Sequence, residues 1–186
     1  MSSDSSFSMI LTLGVAGLVS GLAIVGVYEI TLPRIERNRA EALQRAVFEV
    51  VPHATTMERV DFDDGAVYAA HNAAGELLGY AIPAKGPGFQ DTISLLYGYD
   101  PARDRVIGMR VLESRETPGL GDKIIKDEVF VAQFEDLVVE PDILAVKKGK
   151  ATTPNEIDAI TGATISSKAV VEIINASNDT WLERLQ

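Results

Sequence analysis

The sequence contains no cysteine, and this absence excludes several kinds of chemistry. Disulfides, thiolate nucleophiles, cysteine-ligated iron–sulfur clusters and c-type haem attachment all require a thiol. Histidine is scarce as well: the chain has His53 and His71, and neither has a partner at the spacing of metal ligands. We therefore expect no metal site and no catalytic side chain. Redox or group-transfer chemistry would need a cofactor that is held without sulfur.

Basic residues are in the minority. The 186 residues include 17 lysines and arginines against 27 aspartates and glutamates, which gives a net charge of −10. A protein that binds nucleic acid needs basic surface to neutralise phosphate groups, so we expect no nucleic-acid partner. The length is sufficient for a membrane anchor and one domain of ordinary size.

One long apolar run, Phe7–Val27, carries no charge. As a helix it would extend roughly 30 Å, about the thickness of a hydrocarbon core. Met1–Ser8 lacks lysine and arginine and contains Asp4, so we predict a retained single-pass anchor rather than a cleavable signal peptide. Arginines at positions 34, 37, 39 and 45 follow the run and no basic residue precedes it. By the positive-inside rule this asymmetry favours a cytoplasmic domain, although long domains can translocate in spite of it.

The pattern beyond the anchor predicts a helical stalk that leads into a folded domain. Arg34–Val50 places its apolar residues on one helix face; these are Leu43, Ala46, Val47 and Val50. Pro33 is expected to bend the chain where the membrane helix ends. We divide the chain into a tail and anchor (1–33), a stalk (34–60) and a domain (61–186).

Hydrophobic alternation predicts antiparallel hairpins or a meander in the domain. The predicted strands are Ala66–Ala70, Leu77–Ala84, Thr92–Tyr99 and Arg105–Leu112. The glycine-rich loop Lys85–Phe89 lies between the hairpins and lets backbone approach another group closely. The remaining predicted elements are a helix over Lys123–Phe134, a strand over Ile143–Lys148 and a helix over Ser166–Leu185. The fold class that follows is α+β, with helices packed on an antiparallel sheet.

The segment DAITGATISSK (158–168) joins a strand-like run to the C-terminal helix. Thr164 falls just before the first helical turn, where free backbone N–H groups make a natural phosphate site. Ser166 and Ser167 add hydroxyls at the same end, while Gly162 and Ala163 leave the Thr164 hydroxyl open to a bulky ligand or a modifying enzyme. Taken alone, these residues fit an ordinary helix N-cap better than a ligand site.

Two motifs carry a resemblance to a known family. DAITGATISS resembles the Asp-x-x-(Ser/Thr)-Gly-Ala-Thr flavinylation motif of FMN-binding domains. ESRETPGLGDKI (113–124) resembles the Glu-Thr-Pro-Gly-Leu-Gly segment of the G subunit of the Rnf complex, the ion-translocating ferredoxin:NAD oxidoreductase. The anchor, the block 79–100 before the first motif and the block 145–149 between the two motifs follow the family's order. The resemblance therefore covers nearly the whole chain.

The resemblance implies a covalent flavin site. Thr164 would carry FMN through a phosphoester made by a flavin transferase, and Asp158 would be recognised by that transferase. Thr161, Gly162 and Ala163 would form the phosphate turn. The residues implied to line the flavin are Glu116, Thr117, Gly119, Leu120 and Gly121. Arg115 stands where other members have histidine, so a role for that histidine does not carry over.

The resemblance also implies a function. The protein would be a membrane-anchored electron carrier that works with other membrane and redox subunits of the complex, with the redox chemistry supplied by the flavin. Its domain would face the outside of the cell (inner) membrane, against the arginine count. Alternatives are a component similar to the C subunit of a sodium-translocating quinone reductase, a non-redox assembly subunit, and a stand-alone flavin reductase. The last would need a nicotinamide site, and the chain has no Gly-x-Gly-x-x-Gly fingerprint.

Overall fold

The structure, a computed structural model, describes residues 3–185 and divides into two compact units after Ala42. Met1, Ser2 and Gln186, at the ends of the predicted tail and domain, lie outside the described residues. The first unit belongs to the long helix α1 (Ser3–Val50). From Phe7 this helix is long and apolar enough to cross a membrane. The predicted apolar anchor is therefore present as a helix.

Helix α1 runs through Pro33, so the expectation that the helix ends there is wrong. Proline removes one backbone hydrogen bond, and residues on both sides can keep the helix going. The residues that follow are mostly good helix formers such as alanine, glutamate, arginine and leucine. Arg37 and Glu41, 3.7 Å apart, add an ion pair at helical spacing.

The second unit, Leu43–Gln186, is built on a six-stranded antiparallel sheet whose strands follow one another in sequence order. The strands are β1 (Thr56–Phe62), β2 (Gly65–His71), β3 (Leu77–Pro87), β4 (Thr92–Asp100), β5 (Arg105–Glu113) and β6 (Leu137–Val138). The two predicted hairpins are confirmed as β2–β3 and β4–β5. Strand β1 was not predicted, and it lies largely in the range assigned to the stalk.

The remaining elements cover the sheet and carry the C-terminal motif. They are α2 (Lys123–Lys126), α3 (Glu128–Ala132), the parallel pair β7 (Leu144–Val146) and β8 (Glu156–Asp158), and α4 (Thr164–Leu185). The single helix predicted over Lys123–Phe134 is thus two short helices. The break is at Asp127, whose backbone is extended and whose carboxylate accepts hydrogen bonds from Val129 N and Phe130 N, so it caps α3.

Both faces of the sheet are covered within the second unit. On one face α4 packs against β3 and β4, with Val170 and Ile174 in the same apolar cluster as Leu95 and Tyr97. On the other face lies the end of α1. Its buried residues Ala46, Val47 and Val50, together with Val51 just after the helix, cluster with Ala70, Ala81, Leu96 and Ile107. The apolar face predicted for the end of α1 is therefore confirmed, and it belongs to the domain core.

Two glycines let α1 approach the sheet. A Cβ added at Gly108 would lie 2.7 Å from the Val50 carbonyl oxygen, and one at Gly98 would be closer still. Both glycines sit opposite each other in the β4–β5 register. Because backbone rather than a flexible side chain is the obstacle, a methyl group here has to displace the end of α1 or bend the sheet.

Gly98→Ala should destabilise the second unit by about 1–3 kcal/mol, because it overpacks the contact with Val50. Thermal unfolding of the full chain in detergent measures this loss. Val129→Ile adds one carbon to a side chain that is 76% exposed and should leave the midpoint unchanged. A Gly98→Ala protein as stable as the wild type would contradict the packing described here.

Candidate functional site

A buried carboxylate joins three segments of the chain beside the start of α4. Glu116 is only 5% exposed. Its Oε2 accepts a hydrogen bond from Ser166 Oγ at 2.6 Å, and its Oε1 accepts one from Gln90 N at 2.9 Å. Glu116 therefore ties the segment after β5 to the loop after β3 and to the first turn of α4.

The electrostatics of Glu116 favour its charged form. Burial alone would raise the pKa of this carboxyl. The Ser166 hydroxyl and the backbone N–H groups of residues 89–91 act against burial and hold the pKa of Glu116 below its ordinary value. The buried charge is thus balanced by hydrogen bonds rather than by a basic side chain.

Glycines make room for this carboxylate. A Cβ at Gly121 would lie 2.6 Å from Glu116 Oε2 and 2.9 Å from Ser166 Oγ. A Cβ at Gly88 would collide with Glu116 Oε1 and with the Asp91 carbonyl oxygen. The close approach predicted for the glycine-rich loop is present, and the group that the loop approaches is the Glu116 carboxylate.

The segment after Glu116 forms a compact turn. Leu120 N donates to Thr117 O at 3.1 Å, and Gly119, with a φ of +79°, donates from its N to Asp122 Oδ1 at 2.7 Å. Thr117 Oγ1 donates to Gln90 Oε1 at 2.8 Å. The bond to Gln90 fixes this turn against the loop after β3. Residues of both segments line one pocket.

A second turn leads into α4. Gly162 has a φ of +83°, which few residues other than glycine adopt easily. Ser167 is fully buried; its Oγ accepts from Ile160 N at 3.1 Å and donates to Ala163 O at 2.9 Å. The backbone of the Thr161–Ala163 turn is therefore held from inside by a serine of the helix that it precedes.

Thr164 is the first residue of α4 and is exposed, which corrects its predicted place before the helix. Ser167 N donates to Ala163 O, so Ala163 occupies the N-cap position and has no side-chain acceptor to offer. The N–H groups of Thr164, Ile165 and Ser166 have no acceptor within the helix. Thr164 Oγ1 makes only a long contact of 3.5 Å to Ile160 O. The ordinary N-cap interpretation of Thr164 therefore does not hold.

Thr164 opens into a pocket of about 360 Å³. The lining residues are Phe89, Thr117, Leu120, Gly121, Gly162, Ala163, Thr164, Ile165 and Ser166. The structure thus brings together Thr117, Leu120 and Gly121 of one predicted motif with residues 162–164 of the other. Large apolar side chains are exposed here, with Phe89 63%, Leu120 52% and Ile165 59% accessible. No acidic or basic side chain lines the pocket.

Three of the residues predicted to bind the cofactor lie outside this lining. Glu116 was expected to line the cofactor, but it is buried behind the turn and positions it. Thr161 and Gly119 belong to the two turns without lining the pocket. Phe89 and Ile165 were not predicted. Phe89 ends the glycine-rich loop, and Ile165 is marked in the sequence only as an apolar residue off the buried face of α4.

Asp158 lies at the end of β8, and its carboxylate is engaged. Asp158 Oδ1 accepts from Lys150 N at 2.9 Å and Ala151 N at 3.0 Å. These backbone donors, together with Gly149 N–H, lower the pKa of Asp158. The backbone of Asp158 is held by Gln133, whose Oε1 accepts from Asp158 N at 2.6 Å and whose Nε2 donates to Asp158 O at 3.2 Å.

A domain family and two solved structures resemble the second unit. Residues 88–178, from the glycine-rich loop into α4, match the family model of the FMN-binding domain. The C subunit of a Na⁺-translocating NADH-quinone reductase from Parabacteroides distasonis superimposes with a TM-score of 0.64, 20% identity, and 82% of this chain and 96% of that one covered. NqrC from Shewanella oneidensis gives 0.57, at 20% identity and 74% of each chain. The second unit therefore contains an FMN-binding domain.

Whole-chain relatives identify the particular family. The G subunit of the ion-translocating oxidoreductase complex of Methanosarcina acetivorans is 32% identical over 179 residues, covering 92% of each chain. The G subunit of the proton-translocating ferredoxin:NAD(+) oxidoreductase complex of Clostridium ljungdahlii is 34% identical over 169 residues, covering 91% of this chain and 88% of that one. This chain belongs to the family of G subunits of ion-translocating oxidoreductase complexes, which confirms the resemblance. Its likeness to quinone-reductase C subunits is one of fold.

Glu116→Gln should lower the free energy of unfolding by about 1–3 kcal/mol at neutral pH, because a neutral amide accepts hydrogen bonds more weakly than a carboxylate and has one acceptor oxygen in place of two. The difference from wild type should shrink as the pH falls. A carboxyl whose folded pKa is lowered stabilises the fold above its unfolded pKa and loses this contribution as it is protonated. Chemical denaturation of the full chain in detergent at several pH values is the measurement.

The matched control for this charge removal is Glu58→Gln on the exposed face of β1. It should change the free energy of unfolding by less than about 0.5 kcal/mol at every pH. Equal losses in the two variants, or a difference that widens on acidification, would show that Glu116 does not organise the site.

Proposed function

We propose that this protein is the membrane-anchored electron-transfer subunit of an ion-translocating oxidoreductase complex and carries FMN covalently on Thr164. The observation that supports this most strongly is the state of the hydroxyls at the start of α4. Ser166 and Ser167 are buried and hydrogen-bonded, whereas Thr164 is exposed in a pocket between the two family motifs. The family relationship supplies the wider setting, since the relatives are subunits of such complexes.

The residues of the pocket suit both ends of an FMN molecule. The free N–H groups in the first turn of α4 and the helix dipole favour a phosphate on Thr164 Oγ. The exposed side chains of Phe89, Leu120 and Ile165 offer apolar contact to a flat ring system. When bound, FMN supplies electron transfer, and the chain holds and orients it.

The chemistry of attachment requires a second protein. In this step the Thr164 hydroxyl would give its proton to a base of that second protein, and its Oγ would bond to the phosphorus on the FMN side of a flavin dinucleotide. The diphosphate bond breaks and a nucleoside monophosphate leaves. A threonine hydroxyl needs a base for such an attack, and the side chains that line the pocket include no ionisable group. A flavin transferase therefore supplies the base and the flavin donor during maturation.

The proposed setting is the cell (inner) membrane, with α1 as the single anchor and other membrane and redox subunits as partners. The soluble unit lies on the outer side, where covalent attachment keeps a cofactor that could not be replaced. A non-redox assembly subunit is the alternative from another class. Flavin fluorescence of the denatured chain in a gel separates the two, since a flavin that remains after denaturation is covalent.

Thr164→Ala should abolish the FMN adduct because it removes the exposed hydroxyl that the first turn of α4 presents to the pocket. Thr161→Ala is the matched control: it deletes the other threonine of the motif, which lies outside the pocket lining, and should keep at least part of the adduct. The measurement is intact mass after co-expression with a flavin transferase. An unchanged adduct on the Thr164→Ala protein would refute the assignment.

The orientation of the domain can be tested independently. The arginines after the anchor favour the cytoplasm, but a domain as long as this one can override them. A reporter that is active only outside the cytoplasm, fused after Gln186, should be active. Silence from it, with activity from a cytoplasmic reporter at the same position, would mean that the arginine count decides the topology.

A further inference from the structure

We propose that the flavin transferase docks, through an acidic face, on an exposed basic loop, Lys147–Lys150, and that Asp158 serves as the internal anchor of this loop. This lysine loop precedes the acceptor motif by a few residues. The inference rests on the proposed function, because it concerns how FMN reaches Thr164. It changes the role expected for Asp158, whose carboxylate would act through the loop instead of being recognised itself.

The lysine loop places three basic side chains of the folded unit within four residues. Its three lysines are exposed and, within the part of the chain that the structure describes, none forms an ion pair. Six arginines elsewhere in the unit are paired with carboxylates: Arg59, Arg103, Arg105, Arg110, Arg115 and Arg184. The basic residues that, among the described residues, are in no ion pair but are dispersed along the chain are Arg45, Lys85, Lys123 and Lys168. In a chain with a net charge of −10, three lysines within four residues form a local site for an acidic surface.

Hydrogen bonds from its own backbone N–H groups hold the lysine loop in one conformation. Lys150 N donates both to Lys147 O at 3.0 Å and to Asp158 Oδ1 at 2.9 Å, and Ala151 N donates to the same carboxylate oxygen. Gly149 adopts a φ of +75°, which permits the tight turn. The carboxylate thus faces the loop backbone while the lysine side chains remain in solvent.

The same network reaches the acceptor threonine. Gln133 clamps the backbone of Asp158 through two hydrogen bonds. Two residues further on, Ile160 N donates to Ser167 Oγ, and Ile160 O accepts from Ala163 N. The lysine loop and Thr164 are therefore fixed on one continuous hydrogen-bonded segment, and a partner docked on the loop would be held at a set position relative to the hydroxyl.

The lysines are placed to meet a protein rather than the flavin phosphate. No lysine lines the pocket of Thr164. Lys148 instead lines a neighbouring pocket of about 400 Å³ together with Gln133, Asp158 and the exposed Val129. The carboxylates of Asp127 and Asp158 also line this pocket, and both accept hydrogen bonds from backbone N–H groups. Lys148 and the exposed Val129 then offer a positive charge beside an apolar side chain, which suits the edge of a transient protein interface.

The test is the rate of FMN attachment to the full chain in detergent by a purified flavin transferase. Neutralising the loop with Lys147→Gln, Lys148→Gln and Lys150→Gln should slow attachment by about tenfold or more at low salt. The wild-type rate should fall with added salt, and the variant rate should not. A control with the same change in net charge, Arg59→Gln, Lys85→Gln and Arg184→Gln, should be loaded at the wild-type rate.

A double-mutant cycle tests the role of Asp158. Asp158→Ala should slow attachment in the wild-type chain but add no further loss in the lysine-neutralised chain, because both changes remove the same docking element. Circular dichroism confirms that each variant is folded. Independent, multiplying losses would show that the transferase recognises the carboxylate directly and would overturn the proposal.

The outcomes separate this proposal from the proposed function. If the wild-type chain acquires no FMN on Thr164, the proposed function fails and the docking site with it. If the wild type is loaded and the lysine-neutralised chain is loaded equally fast, the function stands and the docking proposal fails. Normal loading combined with slower electron transfer in the assembled complex would assign the lysine loop to a redox partner and would also overturn the proposal.

Discussion

The hydrogen bonds to the buried Glu116 carboxylate are the constraint on which the rest of the site depends. They join the loop after β3, the turn after β5 and the start of α4, three segments that are distant in sequence. A buried charge is costly unless its lone pairs are satisfied, so these segments are held at fixed distances from one carboxylate. Gly88 and Gly121 are part of the same constraint, because a side chain at either position would occupy the space of the carboxylate. The pocket above it is a consequence of this convergence.

A second feature of the site is the division of roles among neighbouring hydroxyls. Ser166 satisfies Glu116, and Ser167 holds the Thr161–Ala163 turn, so both are buried and occupied. Thr164 begins the same helical turn but is exposed at the pocket. The Ser166 and Ser167 hydroxyls are bound inside the fold, whereas the Thr164 hydroxyl remains accessible. In the proposed function, burial and hydrogen bonding of the two serines account for why Thr164 would be the residue modified.

Sequence patterns predicted much of the fold, and the errors have physical causes. The hairpins β2–β3 and β4–β5, the apolar helix and α4 follow from periodicity, which local sequence encodes directly. Strand β1 was missed because it is an edge strand whose residues are mostly exposed. The helix predicted over Lys123–Phe134 is broken by Asp127, whose side chain competes for backbone N–H groups.

The site was predicted as a set of residues but not as an arrangement. The two family motifs indicated residues 161–164 and 116–121, and the structure brings parts of both to one pocket. That Glu116 is buried under the pocket, and that Asp158 anchors a loop, depends on contacts between distant segments that no local pattern encodes. Tandem mass spectrometry of the peptide containing residues 158–168 from the purified native protein is the most direct test of the account. We predict an FMN phosphoester on Thr164; an unmodified peptide, or an adduct on Thr161, Ser166 or Ser167, would contradict it.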